Sequence, residues 1–365
     1  MPRFALKVAL DATPLAGTRT GIGRYVEHLV RDLATRPELD VRLAAFTTRH
    51  RSALRDEPAR LVHRPVPARL LQRAWLHGDR PSAELVVGRV DVVHGTNFVL
   101  PPPRRAAGVV TVHDLSFARF PELVDTASLA YRTLVPRALQ RAAKVLTPTR
   151  AVADEVGSRY GVSGDRLVVT PLGVDESWFT AADEGPVTGM PAEYVVAVGT
   201  LEPRKGLDVL LDAYRLLAAG SADVPPLLLV GPQGWGPGLD ISGLDDDRIV
   251  LTGFVPQATL RRLVAHARVL VFPSRYEGFG LPVLEALACG TPVVASDVPA
   301  VSEVLGGHGR LVPPGDDEAL AAALETALWT PPSALELVAG AEHARTFTWR
   351  RCADLTADAY LAATA

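Results

Sequence analysis

One segment of the sequence combines two carboxylates with a glycine-rich approach to a helix. Glu277 precedes Gly278–Gly280, and Glu285 follows inside the predicted helix. The segment comes after Val269–Phe272, an apolar run typical of a buried strand, and Pro282 suits a first helical turn. Backbone N–H groups at such a helix start favour anions, phosphate above all. Carboxylates repel phosphate, so their natural partners here are the hydroxyls of ribose or hexose. An exposed helix start whose dipole favours an acidic residue is the alternative; it accounts for Glu285 but not for Glu277.

A second segment places two cations between a predicted strand and a predicted helix. It begins at Gly199, and Arg204 and Lys205 stand side by side just before the helix. Cations near a helix N-terminus are disfavoured by roughly 0.3–1 kcal/mol each, so the pair needs compensation, which a bound diphosphate supplies. Lys205 is one of only three lysines among 38 basic residues, and its compact ammonium suits a phosphate. A solvated charge pair in a turn is the alternative.

The N-terminal half carries weaker signals. Gly21 and Gly23 lie in a strand-to-helix turn that lacks the Gly-Lys-Ser/Thr of a P-loop and the third glycine of a dinucleotide fingerprint. A turn that needs positive φ is the alternative there. His113 ends a predicted strand, where an imidazole can meet a sugar hydroxyl or carbonyl; His94 is similarly placed, and packing is favoured for it. The acidic run Asp245–Asp247 is typical of a solvated turn, so we predict no metal site.

Short apolar runs alternate with helical patterns along the whole chain. The strand candidates of the first half are Leu6–Leu10, Val41–Thr47, Val90–His94, Val109–His113, Val145–Thr147 and Leu167–Thr170. Those of the second half are Tyr194–Val198, Leu227–Val230, Ile249–Thr252, Val269–Phe272, Pro292–Ala295 and Arg310–Val312. Apolar strands joined by helices predict βαβ units, enough for two doubly wound α/β sheets. Because such sheets bind ligands beyond the carboxyl ends of their strands, two facing sheets would form one deep cleft.

Composition and charge exclude several classes of protein. A net charge of −3 gives no reason to expect nucleic acid as a partner, and two cysteines support neither a disulfide framework nor a zinc site. The N-terminus lacks the apolar core of a signal peptide, and no apolar stretch approaches the roughly 20 residues of a membrane span. We therefore expect a cytoplasmic protein. The segment Arg49–Arg80 is rich in arginine and faces either solvent or an anionic lipid or acceptor, which leaves peripheral contact with the inner face of the membrane open.

Several of these stretches together resemble a known family. Glu277 and Glu285 frame the E-x7-E element of retaining glycosyltransferases with the GT-B fold, specifically glycosyltransferase family 4. GTLEPRKGLDVLLDAY, VLTPTRAVADEV and VLTGFVPQATLRRLVAHARVLVFPSRYEGFGLPVLEALACGTPVVASDVPAVSEV are also similar to that family. The resemblance implies two Rossmann-like domains facing a central cleft. The implied parts are an acceptor-binding domain over 1–175, a linker over 176–192, a nucleotide-sugar-binding domain over 193–345 and a C-terminal helix over 346–365 that crosses back to the first domain.

The resemblance also implies a role for each candidate residue. Arg204 and Lys205 would hold the donor diphosphate, Glu285 would accept hydrogen bonds from the ribose, and Glu277 would accept them from the transferred sugar. His113 would lie by the donor sugar and the acceptor. The catalytic set is thus His113, Arg204, Lys205 and Glu277. Glycines and backbone amides complete the implied donor site: Gly21, Gly23, Gly199, Gly278, Phe279, Gly280 and Leu281.

The implied reaction is transfer of a hexose from a nucleotide-sugar to a glycan, lipid-linked or small-molecule acceptor, with retention and without cofactor or metal. GDP-mannose is the expected donor, because Leu10-Asp11, Gly21–Tyr25 and Thr111–Glu122 most resemble bacterial mannosyltransferases. Two other classes stay open. A nucleotide-dependent oxidoreductase would share the sheets but needs the complete glycine fingerprint. A GT-B epimerase or a non-catalytic nucleotide-sugar-binding module would keep the cleft, and only transfer to an acceptor separates these from a transferase.

Overall fold

The chain divides into two compact units, each built on one parallel sheet. The computed structural model describes residues 5–17, 21–47, 54, 57–62, 66–236, 238–244 and 248–365. The first unit comprises Met1–Arg119, Thr126–Gly173 and Trp349–Ala365, and the second comprises Phe120–Asp125 and Val174–Thr348. The chain therefore passes between the units at Gly173–Val174 and again at Thr348–Trp349, and one short segment of the first half belongs to the second unit.

The sheet of the first unit has seven parallel strands in the order β3-β2-β1-β4-β5-β6-β7. The strands are β1 (Leu6–Asp11), β2 (Leu39–Ala44), β3 (Arg60–Val62), β4 (Val92–Gly95), β5 (Ala107–Thr111), β6 (Lys144–Thr147) and β7 (Leu167–Val169). All six predicted strands of this half overlap an observed one. β3 was not predicted, because it is a three-residue edge strand inside the arginine-rich segment.

Helices of the first unit connect and cover these strands. They are α1 (Gly21–Leu33), α2 (Ala68–His77), α3 (Ala83–Val87), α4 (Ser116–Arg119), α5 (Tyr131–Arg141) and α6 (Arg150–Tyr160). Apolar residues recur in α1 at a spacing of three and four, and Tyr25, Val26 and Leu29 are buried on one face. Thr149 caps α6 by accepting a hydrogen bond from the backbone N–H of Val152.

The sheet of the second unit has six parallel strands in the order β10-β9-β8-β11-β12-β13. They are β8 (Val195–Val198), β9 (Leu227–Val230), β10 (Ile249–Gly253), β11 (Val269–Phe272), β12 (Val293–Ser296) and β13 (Arg310–Val312). Each of the six strands predicted for this half overlaps one of them. The helices are α7 (Leu207–Gly220), α8 (Gln257–Ala265), α9 (Leu281–Cys289), α10 (Pro299–Leu305), α11 (Asp317–Trp329) and α12 (Ala334–Arg345). α7 packs on α11, and α9 packs on α8, α10 and α12, so helices form two groups around this sheet.

The last helix, α13 (Trp349–Thr364), belongs to the first unit, where it packs on α1 and on β4 to β7. The stretch predicted as a linker, 176–192, belongs to the second unit. Trp178 is fully buried there, Arg261 pairs with Glu184 at 3.1 Å, and Arg262 donates to the carbonyl of Gly185 at 2.8 Å. The polar and glycine-rich segment is therefore packed on the second unit, and the chain enters that unit just before it, at Gly173–Val174.

Candidate functional site

Two loops meet at the carboxyl edge of the second sheet. β8 and β11 are neighbouring parallel strands, with Val195 paired to Val269. The loops that follow them lie side by side, and the backbone N–H of Arg275 donates to the carbonyl of Arg204 over 2.9 Å. Strand order reverses between β8 and β11, which is where doubly wound sheets bind ligands. The structure thus brings together the two segments that the sequence singled out separately.

Four charged side chains form a connected cluster where these loops meet. Lys205 Nζ donates to Glu277 Oε1 over 2.6 Å, and a guanidinium nitrogen of Arg204 lies 3.1 Å from Glu277 Oε2. The same guanidinium donates to a carboxylate oxygen of Glu202 over 2.6 Å and to the carbonyl of Tyr276 over 2.8 Å. The side chains of these two cations and two carboxylates are only 4–16% exposed. One carboxylate is thus shared by both predicted phosphate ligands.

The two carboxyl groups of the cluster differ in their electrostatics. Burial by itself raises the pKa of Glu277, but the charges of Lys205 and Arg204, with the hydrogen bond from Lys205, lower that pKa to about 2. Glu277 is therefore ionised at neutral pH and holds the lysine ammonium in place. For Glu202, burial is the largest influence and raises the pKa, although Arg204 and Lys205 oppose the rise.

Glycines let the backbone approach the cations closely. A Cβ built at Gly199 would lie 3.4 Å from Cε of Lys205, so the lysine stem lies directly against this backbone. Gly206 has φ of +64°, and a Cβ there would lie 2.2 Å from the carbonyl oxygen of Pro273. A side chain at Gly206 would force the loops after β8 and β11 apart.

The predicted start of α9 is confirmed. Gly280, with φ of +101°, leads into the helix, Pro282 lies in its first turn, and Gly290, with φ of +71°, follows its end. Gly278 and Leu281 flank Phe279 and Gly280 on the approach to the helix. Phe279 is 5% exposed, and Glu285 is 1% exposed inside the helix. A contact between Glu285 and a ribose stays a prediction.

The remaining predicted site residues lie in the first unit. His113 follows β5, and its Nε2 donates to the carbonyl of Thr96 over 2.8 Å. Its ring meets that of Tyr25 edge-on, with centroids 5.2 Å apart. Gly21 begins α1, and Gly23 is buried in the first turn of the same helix as Tyr25. The first helix therefore connects the glycine-rich turn with His113. Residues 18–20 of that turn lie outside the described residues.

The protonation of His113 follows from its surroundings. Burial lowers its pKa, and the hydrogen bond to Thr96 and the charge of Asp114 oppose that shift. A carbonyl can only accept, so the neutral ring carries its proton on Nε2 and presents Nδ1 as an acceptor. Asp114 itself accepts from the backbone N–H and the hydroxyl of Ser116, at 2.8 and 2.7 Å, which places it at the start of α4.

His94 is bonded on both ring nitrogens inside the first unit. Nδ1 lies 2.6 Å from the Tyr360 hydroxyl, and Nε2 lies 2.8 Å from the Thr111 hydroxyl, which is also bonded to Tyr25. The ring is fully buried, and burial lowers its pKa to about 3. These contacts match the packing role favoured for His94 from the sequence.

Two residues that contact Arg204 were not singled out by sequence reasoning. Glu202 contributes a buried carboxylate to the cluster, and Tyr276 contributes its carbonyl beside it. A signal for Glu202 was available, because it stands two residues before Arg204 in the same strand-to-helix turn. Nothing in the local pattern distinguishes the carbonyl of Tyr276 from that of any other loop residue.

Within the described part of the chain, no group of three or more His, Cys, Asp or Glu side chains could hold a metal ion. The run Asp245–Asp247 lies outside the described residues. None of the described helices is both long enough and apolar enough to cross a membrane.

Two doubly wound parallel sheets, the second with cations and carboxylates where its strand order reverses, are the architecture of the GT-B fold. The family comparisons agree with this class. Residues 19–178 match the model described as Glycosyltransferase Family 4, and residues 192–329 match the one described as Glycosyl transferases group 1. The chain is 30% identical to O-antigen chain mannosyltransferase B of Escherichia coli, over 97% of this chain and 99% of that protein. The chain belongs to glycosyltransferase family 4 and is a hexosyltransferase.

Solved structures show the same fold. Sucrose-phosphate synthase from Thermosynechococcus elongatus superimposes with a TM-score of 0.73 at 23% identity, over 98% of both chains. Anabaena Alr3699/HepE in complex with UDP-glucose superimposes with a TM-score of 0.66 at 18% identity, over 97% of this chain and 98% of that chain. At these identities the likeness concerns the fold alone.

Proposed function

We propose that this glycosyltransferase transfers mannose from GDP-mannose, with retention of the anomeric configuration, to a glycan, lipid-linked or small-molecule acceptor. The mannosyl donor is supported by the relative that matches along nearly its whole length, an O-antigen chain mannosyltransferase. Binding of a nucleotide-sugar is supported by a structural neighbour whose complex contains UDP-glucose. No cofactor or metal takes part in the proposed reaction.

The observation that carries the proposal is the contact of Arg204 and Lys205 with Glu277 at the switch point of the second sheet. When a nucleoside diphosphate leaves, negative charge develops on its oxygens, and preorganised cations stabilise that charge. Arg204 and Lys205 supply two such cations, and the N-terminus of α9 supplies oriented backbone N–H groups. Glu277 is kept ionised and accepts hydrogen bonds from hydroxyls of the transferred sugar.

The proposed reaction needs no covalent intermediate on the enzyme. The acceptor hydroxyl attacks the anomeric carbon from the face that the diphosphate leaves, the bond to the diphosphate breaks, and the leaving phosphate oxygen takes the acceptor's proton. His113, neutral and with Nδ1 available as an acceptor, is the proposed contact for a sugar hydroxyl. Arg204 and Lys205 stay charged throughout, so they bind the product diphosphate as well as the donor.

A donor screen tests this function. Purified protein is offered GDP-mannose, UDP-glucose, UDP-N-acetylglucosamine and dTDP-sugars, with thermal shift and donor hydrolysis as readouts. We expect a response to GDP-mannose, and a response to a UDP- or dTDP-sugar alone contradicts the donor. Mass analysis of products formed on lysate glycans identifies the acceptor class, and the anomeric coupling in the product tests retention. GDP-mannose that is epimerised without transfer would instead identify an epimerase.

Peripheral membrane contact is part of the proposal. Leu70 on α2 is 62% exposed, and Arg69 and Arg73 are exposed on the same helix. An exposed apolar side chain beside arginines suits an anionic lipid surface. We expect the protein to co-sediment with phosphatidylglycerol vesicles and not with phosphatidylcholine vesicles, and an Arg69→Glu, Arg73→Glu double variant to lose that binding. Equal recovery with both vesicle types contradicts the contact.

A further inference from the structure

Glu202 is a buried carboxylate that none of the roles described above uses. It lies directly before the single helical turn Pro203–Lys205, and its side chain is 4% exposed. A buried carboxylate must be paired or protonated, because leaving an isolated charge in the interior costs several kcal/mol. Its partner is Arg204, at 2.6 Å.

The pairing fixes the orientation of the Arg204 guanidinium. One terminal nitrogen donates to Glu202, while the other donates to the carbonyl of Tyr276 over 2.8 Å and lies 3.1 Å from Glu277. The planar group is therefore held at both ends of its fork. Glu277 is shared with Lys205, so Glu202 is the carboxylate of this cluster that hydrogen-bonds Arg204 and not Lys205.

We propose that Glu202 is a positioning residue for glycosyl transfer, which holds the Arg204 guanidinium in the orientation that binds the donor diphosphate. This inference rests on the proposed function, in which Arg204 and Lys205 bind that diphosphate. The orientation of the Arg204 guanidinium matters, because displacing a catalytic group by about 1 Å lowers the rate on the order of a hundredfold. Glu202 acts through Arg204 and does not itself contact the substrate.

Kinetics of three variants test the positioning role. Glu202→Gln keeps an oxygen that can accept from Arg204 and nearly the same volume, whereas Glu202→Ala removes both. We expect kcat to fall by roughly 10- to 100-fold in Glu202→Ala with a smaller change in KM for the donor, and partial rescue in Glu202→Gln. Asp208→Asn is the matched control, because Asp208 pairs with Arg275 at 2.7 Å but is 64% exposed. It keeps the wild-type kinetics.

The outcomes separate this inference from the function on which it rests. If Lys205→Ala binds GDP-mannose and UDP-glucose as the wild type does in calorimetric titrations, the proposed diphosphate site is wrong and Glu202 has no donor to position. If Lys205→Ala loses binding but both Glu202 variants keep the wild-type kcat and KM, the positioning role alone is overturned. If Glu202→Ala folds poorly, Glu202→Gln carries the test, and a wild-type kcat in that variant overturns the positioning role.

Discussion

Lys205 is held in place by contacts on several sides. Its ammonium is 2.6 Å from Glu277, its stem lies against Gly199, and its charge lies 5.2 Å from the centre of the Phe272 ring. A cation held this rigidly needs no reorganisation when charge develops on a leaving diphosphate. In the proposed reaction the Lys205 ammonium therefore stabilises the negative charge on the leaving diphosphate.

We expect Lys205→Ala to lower kcat/KM by about 10²- to 10³-fold, the scale seen when a preorganised oxyanion donor is removed. The variant also leaves the buried carboxylate of Glu277 with one cation fewer. Steady-state kinetics with the donor identified by the screen measure the loss. Lys144→Ala is the matched control, because Lys144 donates to the backbone carbonyl of Asp165 in the first unit. Wild-type kinetics in Lys205→Ala contradict the proposed site.

Metal independence is a second expectation at this scale. In the proposed site Arg204 and Lys205 meet the diphosphate charge, which is the role that a divalent cation plays in metal-dependent phosphate sites. We therefore expect full activity after dialysis against EDTA. Activity that is lost on chelation and restored by magnesium or manganese contradicts this expectation.

The role of a site residue could be predicted from the sequence where its chemistry shows in the spacing of nearby residues. Arg204, Lys205 and Glu277 were named as neighbours of a phosphate and a sugar, and the structure brings the three into contact. The sequence could not show that Glu277 bonds Lys205, since the contact joins residues that are 72 positions apart. The two residues meet because β8 and β11 are neighbours in the sheet, and local sequence patterns do not reveal the order of the strands.

At the scale of elements, the loops after β8 and β11 are joined by backbone as well as by charge. Gly206, in a left-handed conformation, directly precedes α7 and lies against the carbonyl of Pro273, and the backbone N–H of Arg275 donates to the carbonyl of Arg204. The charge cluster is therefore held by two loops that are bonded to each other through their backbones.

α9 and β11 were predictable because their apolar periodicity and flanking glycines are local signals. β3 was not, because an edge strand buries too little to show such a pattern.

We expect Gly206→Ala to destabilise the second unit more than Gly290→Ala. Both glycines have left-handed φ, +64° and +71°, so both variants lose about 1–2 kcal/mol from backbone strain. At Gly206 the new Cβ would also lie 2.2 Å from the carbonyl oxygen of Pro273, whereas no atom lies within 4 Å at Gly290. Overpacking of this kind adds about 1–3 kcal/mol. Thermal unfolding measures the difference, and equal melting temperatures contradict the close approach.

At the scale of the whole molecule, the first unit is completed by the end of the chain. α13 packs on α1, His28 stacks on Trp349 with ring centroids 4.5 Å apart, and Tyr360 bonds His94. The family resemblance implied such a crossing helix, whereas local periodicity alone indicated only a helix. The partner of a terminal helix depends on long-range packing, which spacing within the helix does not encode.

The buried pair of His94 and Tyr360 makes the first unit sensitive to acid. The folded pKa of His94 is about 3, because burial disfavours the charged ring, whereas an unfolded histidine titrates near 6.5. Between these values the unfolded state binds more protons, so stability falls as pH drops from about 6.5 towards 3. Asp11 acts in the opposite direction. Burial raises its folded pKa to about 6, so it favours the folded state increasingly as pH drops from there to its ordinary value of 3.8.

Two variants separate these effects. His94→Gln can still bond Tyr360 and Thr111 but cannot be protonated, so we expect its loss of stability between pH 7 and about pH 4.5 to be smaller than in the wild type. Asp11→Asn removes the opposing contribution, so its loss over the same range becomes larger. Urea unfolding at a series of pH values measures both slopes, and hydrogen exchange in β4 and β5 locates them in the first unit. If His94→Gln loses stability as steeply as the wild type, His94 is not the source of the acid sensitivity, and other groups, such as the paired carboxylates of the second unit, cause it.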